Sequence, residues 1–289
     1  MPIEKILTHP GSSHKDELLA CCVLLYQHQV PLVRREPSEE DLRNPNICVV
    51  DVGGEHDPQL NNFDHHQFPR DSTPQCALSL VLQDLDLYEK ARAFCDWLEP
   101  AEWLDTRGPV GAAKWMNIDR KVLGQLISPI DITLLRRFAQ VSELNQKDVL
   151  WQVMRMVGED IIEYIKMLSD RLLYLEEHCQ WWTIGNGDQS FEAIFLPRTD
   201  PLPQNPSMAL PRFINEQGKD HSTLAMIYPD SRGDGYGLSR HNDNLKMDFT
   251  AIENQSDVHF AHKGGFVAKS TATDPQRLKE LLALAYDNS

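Results

Sequence analysis

Apolar and polar positions change their rhythm twice along the chain. Ile3–His9 reads as a short buried strand closed by Pro10-Gly11-Ser12-Ser13. Glu17–His28 reads as a helix built round Leu18–Tyr26, nine consecutive apolar residues. Pro31–Arg35 gives a second strand, and Glu36–Pro45 is charged and turn-rich. Ile47-Cys48-Val49-Val50-Asp51-Val52 is the strongest strand signal, short and β-branched, with Gly53-Gly54 behind it. A helix between strands marks a βαβ unit and predicts a parallel sheet.

From Pro74 to about Leu175 the period is helical, in Gln75–Leu85, Tyr88–Leu104, Arg120–Leu126, Thr133–Val141 and a long stretch from Lys147 to His178. That last stretch keeps mostly 3–4 apolar spacing, as a core-facing or connecting helix does. Beyond Glu177 short strands return at Gln180–Ile184, Phe191–Leu196, Thr223–Tyr228, Tyr236–Ser239 and His259–Phe260, and Pro275–Tyr286 is a final helix capped by Asp274. The expected division is an N-terminal α/β domain over 1–145, a helical connector over 146–178 and a smaller α+β domain over 179–289. Gly233-x-Gly235-x-Gly237 lacks the strand–helix setting of a dinucleotide site, and Trp181-Trp182 reads as core.

Composition narrows the partners. With 28 basic residues against 43 acidic ones the formal charge is −15, which repels polyanions at long range and argues against a wide duplex-binding surface. No apolar run approaches the length of a membrane span, and the N-terminus lacks the pattern of a signal peptide. The six cysteines contain no C-x-x-C pair, so reduced buried thiols and a cytoplasmic location are expected. Oligomeric state is not encoded in any pattern found.

Four of the eleven histidines stand in two acidic settings: His9 and His14 in Thr8-His9-Pro10-Gly11-Ser12-Ser13-His14-Lys15-Asp16-Glu17, and His65 and His66 in Phe63-Asp64-His65-His66-Gln67. Asp51 ends the strand between these settings. Open α/β sheets collect ligands outside the carboxyl ends of their strands, so parallel strands would bring these residues to one rim. Imidazole and carboxylate without thiolate suit Mn²⁺, with Mg²⁺, Co²⁺, Zn²⁺ or Fe²⁺ as competitors. The donors outnumber the needs of one tetrahedral ion, which favours two ions acting together on a phosphoester.

His9-x4-His14-x-Asp16, Asp51 and Asp64-His65-His66 resemble the first motifs of the DHH phosphoesterase superfamily. The fuller strings, with Asp51-Val52-Gly53-Gly54 and Asp57-Pro58, are similar to the melanocyte proliferating gene one family of predicted metal-dependent, exonuclease-like hydrolases. Trp103-Leu104-Asp105 resembles a fourth motif, although the usual Asn-Gly continuation is Thr106-Arg107 here, and Ser13 replaces an aromatic residue before the second histidine. The resemblance implies His9, His14 and Asp51 round one ion, and Asp16, Asp51, His65 and Asp105 round another, with Asp51 shared. It implies Asp64 as the support of an imidazole and His66 facing substrate; by residue type alone His66 could equally be a ligand. About three carboxylate charges against two divalent ions leave a slightly positive centre, to which an acidic protein can admit phosphate.

Ala261-His262-Lys263-Gly264-Gly265-Phe266-Val267-Ala268-Lys269 is similar to the family's C-terminal His-x-x-Gly-Phe element. His262, Lys263, Gly264, Gly265 and Lys269 are the expected substrate contacts there, against the plainer reading of a tight turn. The expected function is a metal-dependent phosphoesterase, exonuclease-like on short single-stranded RNA or oligonucleotides, with the C-terminal domain closing over the centre. The alternatives are a small-molecule phosphatase or phosphoanhydride hydrolase and, in another class, a regulator that binds metal or nucleotide without turnover.

Overall fold

The computed structural model describes residues 2–185 and 190–286, which fall into two compact units, Met1–Met167 and Leu168–Ser289. The first holds β1 (Lys5–Thr8), α1 (Lys15–His28), β2 (Leu32–Arg34), α2 (Glu39–Arg43), β3 (Ile47–Val50), β4 (His56–Asp57), β5 (Asn62–Phe63), α3 (Ala77–Asp84), α4 (Tyr88–Phe94), α5 (Leu98–Trp115), α6 (Arg120–Gln125), α7 (Pro129–Ala139) and β6 (Glu143–Leu144). α8 (Val149–His178) is continuous across the division. The sheet order is β4-β5-β3-β1-β2-β6. Its four central strands are parallel, as the βαβ pattern predicts, and its two edge strands, which that pattern does not predict, are antiparallel.

Burial on both faces explains why β1 and β3 are almost wholly apolar. Ile6, Cys48 and Val50 pack with the apolar face of α1, with α3 and with Trp151, Met154, Ile162 and Ile165 of α8. Leu7, Ile47 and Val49 point the other way, to Val52 and Leu42. α8 lies so close to α1 that a Cβ on Gly158 would sit 1.9 Å from the Cys22 carbonyl oxygen. All six cysteines are unpaired, and five of them are buried.

Three elements differ from the sequence reading. The apolar period over Tyr88–Leu104 runs through a break at Cys95–Trp97, and α5 then bends at Gly108 (φ 68°) ahead of Pro109. Pro109 disfavours helical geometry at the residue before it, and glycine adopts the alternative at little cost. The charged segment Glu36–Pro45 contains α2, capped by the Ser38 side chain on Asp41 N–H.

The second unit holds β7 (Gln180–Ile184), β8 (Phe191–Phe195), α9 (Leu210–Glu216), β9 (Thr223–Pro229), β10 (Tyr236–Arg240), β11 (Val258–Ala261), β12 (Val267–Ser270) and α10 (Pro275–Ala285). The order β11-β12-β10-β9-β8-β7 is antiparallel except for β8–β9. Trp182 stacks on Phe195 with ring centroids 4.2 Å apart, inside a core closed by Phe249, Leu278 and Leu282. α9 and β12 are elements the sequence pattern did not announce. No helix among the described residues is long and apolar enough to cross a membrane.

Candidate metal centre

Strand register delivers the donors. β1 and β3 pair with Thr8 opposite Val50, so His9 and Asp51 leave the sheet at the same carboxyl edge. β5 pairs with β3 with Phe63 opposite Val50, which puts Asp64, His65 and His66 beyond that edge too. His14 caps α1, whose first turn carries Asp16, and α5 supplies Asp105. Asp51 has φ 59°, a left-handed conformation uncommon outside glycine, asparagine and aspartate. The chain then turns through Gly53, where a Cβ would meet Leu42 Cδ2 at 2.8 Å, and the Gly54 N–H donates to Asp64 Oδ2 at 2.6 Å.

Every expected metal-ligating residue lies in this one cluster. His65 Nε2 is 3.0 Å from Asp51 Oδ1 and 2.9 Å from Asp105 Oδ2. His9 Nε2 is 3.5 Å from Asp51 Oδ2, and His14 Nδ1 is 3.6 Å from Asp105 Oδ1. Donor atoms of His9, His14 and Asp51 lie within 4.8 Å of one another, as do those of His14, Asp16 and Asp105, and those of Asp51, Asp64, His65 and His66. Asp51 and His14 therefore each belong to two groups. Asp64 Oδ1 is 2.6 Å from His66 Nδ1, which fixes that ring and turns its other nitrogen outward.

The electrostatics show what the cluster lacks. Burial, then the neighbouring Asp51 and Asp105 carboxylates, push the Asp16 carboxyl well above its ordinary value. Bonds to Asp51 and Glu17 lift His9 to about 10. Burial opposes the charged form of His65, but its contacts with Asp105 and Asp51 outweigh that and raise it to about 10. The same two imidazoles hold Asp51 down at about 2 against its burial. Both oxygens of Asp16 are buried without a hydrogen-bond partner among the described residues, and Oδ2 of Asp51 has only the His9 imidazole, at 3.5 Å. Protons can occupy such a cluster, and divalent cations do so better, because they bring more charge and accept several oxygens at once. The donor set fits divalent metal.

Two contributors were not singled out as site residues in the sequence. Glu17 is fully buried; its Oε1 accepts from Thr8 Oγ1 at 2.7 Å and from Arg34 Nη2 at 3.2 Å, and its Oε2 lies 3.2 Å from His9 Nε2. Arg34 also donates to the carbonyls of Gly11, Ser12 and Phe138, pinning the loop between His9 and His14. The readable signal was Glu17 three residues after the cap His14, the spacing of a capping box. Ser13, in the aromatic position of the resembled motif, donates to Leu135 O at 2.7 Å and ties the same loop to α7.

In the second unit, His262–Gly265 form the turn between β11 and β12. The Gly264 N–H donates to His262 Nδ1 at 3.0 Å and the Gly265 N–H to His262 O at 2.8 Å, so both amides are used within the turn. Gly265 (φ 72°) also sits where a Cβ would fall 2.3 Å from Asp248 Oδ1. Lys269 on β12 is paired with Asp230 at 2.7 Å. His262 and Lys263 are exposed.

A parallel α/β sheet with an imidazole–carboxylate cluster at its carboxyl edge defines the class: a metal-binding α/β protein. Comparison makes it more particular. Residues 5–79 match the family model MYG1_exonuc, described as an uncharacterised protein family (UPF0160). The MYG1 exonuclease of Bos taurus is 46% identical over 65 residues, 22% of this chain and 17% of that protein. The Homo sapiens MYG1 exonuclease is 45% identical over 65 residues, again 22% and 17%. The resemblance read from the motifs thus recurs over residues 5–79, and the matched stretch spans about a sixth of those relatives' length. Among solved structures, the DHH domain of a member of the s1p family of ribosomal proteins aligns over 99% of this chain and 87% of that one, at 13% identity and a TM-score of 0.35.

Proposed function

We propose that the chain is a metal-dependent phosphoesterase that cleaves phosphodiesters, exonuclease-like, on short single-stranded RNA or oligonucleotides. The observation that carries this reading is the convergence of Asp16, Asp51 and Asp105 with His9, His14 and His65, including buried carboxylate oxygens that no protein donor meets. Its match to MYG1 exonucleases over the segment that supplies most of these residues supports the same reading.

His9, His14 and Asp51 would hold one ion, and Asp16, Asp51, His65 and Asp105 a second, with manganese the preferred metal on donor type. When bound, such ions activate water and offset the charge that develops on phosphorus oxygens. Glu17 and Arg34 keep His9 and its loop in place, so the donor geometry exists before any ligand arrives. Asp64 raises the proton affinity of His66 through their short contact, which favours the protonated ring. His66 is more than half exposed and lines the cleft of about 320 Å³ that contains His9, His14 and Asp51. From there it donates a proton to the leaving oxygen. In the second unit, exposed His262 and Lys263 offer more to an anionic substrate than the glycine amides do.

A second reading is hydrolysis of a small phosphate ester or phosphoanhydride by the same residues, and the net charge of −15 favours it. The test is turnover of labelled RNA 5-mers against dinucleotides and pyrophosphate with added Mn²⁺. Release of mononucleotides from the 5-mers supports the first reading. Turnover of pyrophosphate alone replaces it with the second, and metal uptake without any turnover replaces both with a binding protein.

A further inference from the structure

Next to the metal centre lies another cavity, of about 210 Å³, whose wall carries two arginines. His65, His66 and Asp105 line it together with Arg70, Thr73 and Arg107. Arg107 is the last helical residue of α5 before the bend at Gly108. Its half-buried guanidinium donates from Nη1 to the Thr106 carbonyl at 3.3 Å and from Nη2 to the Ser72 carbonyl at 2.6 Å.

Three arginines of this unit sit against carboxylates. Arg34 faces Glu17 at 3.2 Å, Arg35 faces Asp41 at 2.7 Å and Arg92 faces Glu102 at 3.0 Å. Among the described residues no carboxylate pairs with Arg107 or Arg70. Two neutral acceptors hold the Arg107 fork in place without cancelling its charge, so little side-chain freedom is left to lose when an anion binds. A planar, preset fork of N–H donors matches the oxygens of a phosphoryl group, and the metal-ligating residues form another part of the same wall. Arg107 also belongs to the stretch Asp105-Thr106-Arg107 that departs from the resembled Asp-Asn-Gly motif, so this charge is a property of this chain.

We propose that this cavity is a phosphate-recognition subsite, in which Arg107, assisted by Arg70, holds a phosphoryl group of the substrate beside the metal centre. The inference rests on the phosphoester reading of that centre. Its ligand class is a phosphate ester with at least two free oxygens on one phosphorus.

The test is calorimetric titration of inorganic phosphate into the manganese-loaded full chain, with a separate manganese titration, for wild type, Arg107→Gln, Arg107→Lys and Arg70→Gln. Arg107→Gln is expected to weaken phosphate binding about tenfold to hundredfold, as loss of a charge-assisted pair does. Arg107→Lys should recover part of that loss, and exposed Arg70→Gln should weaken phosphate about threefold. Manganese affinity should stay within about twofold throughout, because neither arginine is a metal donor. Unchanged phosphate affinity in a folded Arg107→Gln protein overturns the subsite, and so does a loss matched by an equal loss of manganese affinity. Should Arg107→Gln not fold, unchanged affinity in Arg70→Gln overturns it instead. Wild type that binds phosphate through Arg107 yet hydrolyses no phosphoester upholds the subsite and removes the hydrolase reading.

Discussion

The two units handle negative charge in opposite ways. In the C-terminal unit aspartates meet side-chain donors: Asp230 has the Lys269 ammonium at 2.7 Å, Asp257 the Arg277 guanidinium at 2.8 Å and Asp220 the His241 imidazole at 2.9 Å. In the N-terminal unit Asp16, Asp51 and Asp105 crowd one another, and among the described residues the oxygens of Asp16 find no hydrogen-bond donor. The first arrangement is complete in itself. The second is costly without something to occupy it, since unpaired buried carboxylates lose their hydration for no return. Unsatisfied polar groups, more than clustered motif residues, mark where chemistry is to be sought.

That contrast can be broken or sharpened by experiment. Asp51→Asn should reduce manganese-dependent phosphodiester cleavage on the order of a thousandfold, and it should remove the rise in melting temperature that manganese gives the wild type. Normal turnover in that variant would sink the proposed centre. Arg34→Ala should cost about 3–5 kcal/mol in urea unfolding, because it strands buried Glu17 and frees three carbonyls; a loss below 1 kcal/mol (about one hydrogen bond) would show that the loop holds itself. In the other unit Gly265→Ala should cost about 1–2 kcal/mol, from the left-handed backbone and the clash with Asp248. Hydrogen exchange over β11 and β12 reads it directly.

Acidity separates the units as well. His9 and His65 are raised from 6.5 to about 10 in the fold, so their stabilising contribution to metal-free protein is complete below pH 6.5 and is lost as pH climbs toward 10. Asp230 and Asp257 are held below 3.8, Asp230 by Lys269 against its burial and Asp257 by Arg277. Their contribution is present above pH 3.8 and is lost as pH falls through the lowered values. In chelator, hydrogen exchange should therefore quicken in the N-terminal unit on the alkaline side, while acid loosens both units because Asp51 is held low as well; tightening of the N-terminal unit between pH 7 and 9 would contradict this. The smallest effect belongs to Lys263→Ala. Stability should move by less than about 0.5 kcal/mol, while oligonucleotide affinity should fall about twofold if that ammonium meets substrate.

Much of this was legible in the sequence, for definite reasons. β1, α1 and β3 announced themselves because strands buried on both faces are apolar throughout, and Asp51 stood out as the charge ending such a run. The histidine motifs were legible because their spacing is short and their strands are neighbours. The break at Cys95–Trp97 was not, since helical period continues straight through it. β4 and β5 have two residues each and owe their existence to pairing beside β3. β12 is only four residues long and follows the Gly264-Gly265 turn, so its pattern is too short to read as a strand. Arg107 could be read as a departure from a motif but not as an unneutralised cation, because the carbonyl of Ser72 that steers it comes from a distant loop.

The twist of the main chain at Asp51 also decides how the centre should be dissected. Few side chains tolerate that geometry, and asparagine is among those that do. Exchanging aspartate for asparagine there subtracts one unit of charge and leaves the local path of the polypeptide alone. Alanine, valine or glutamate would confound lost charge with a displaced corner, so a knockout built from any of them would report on two things at once.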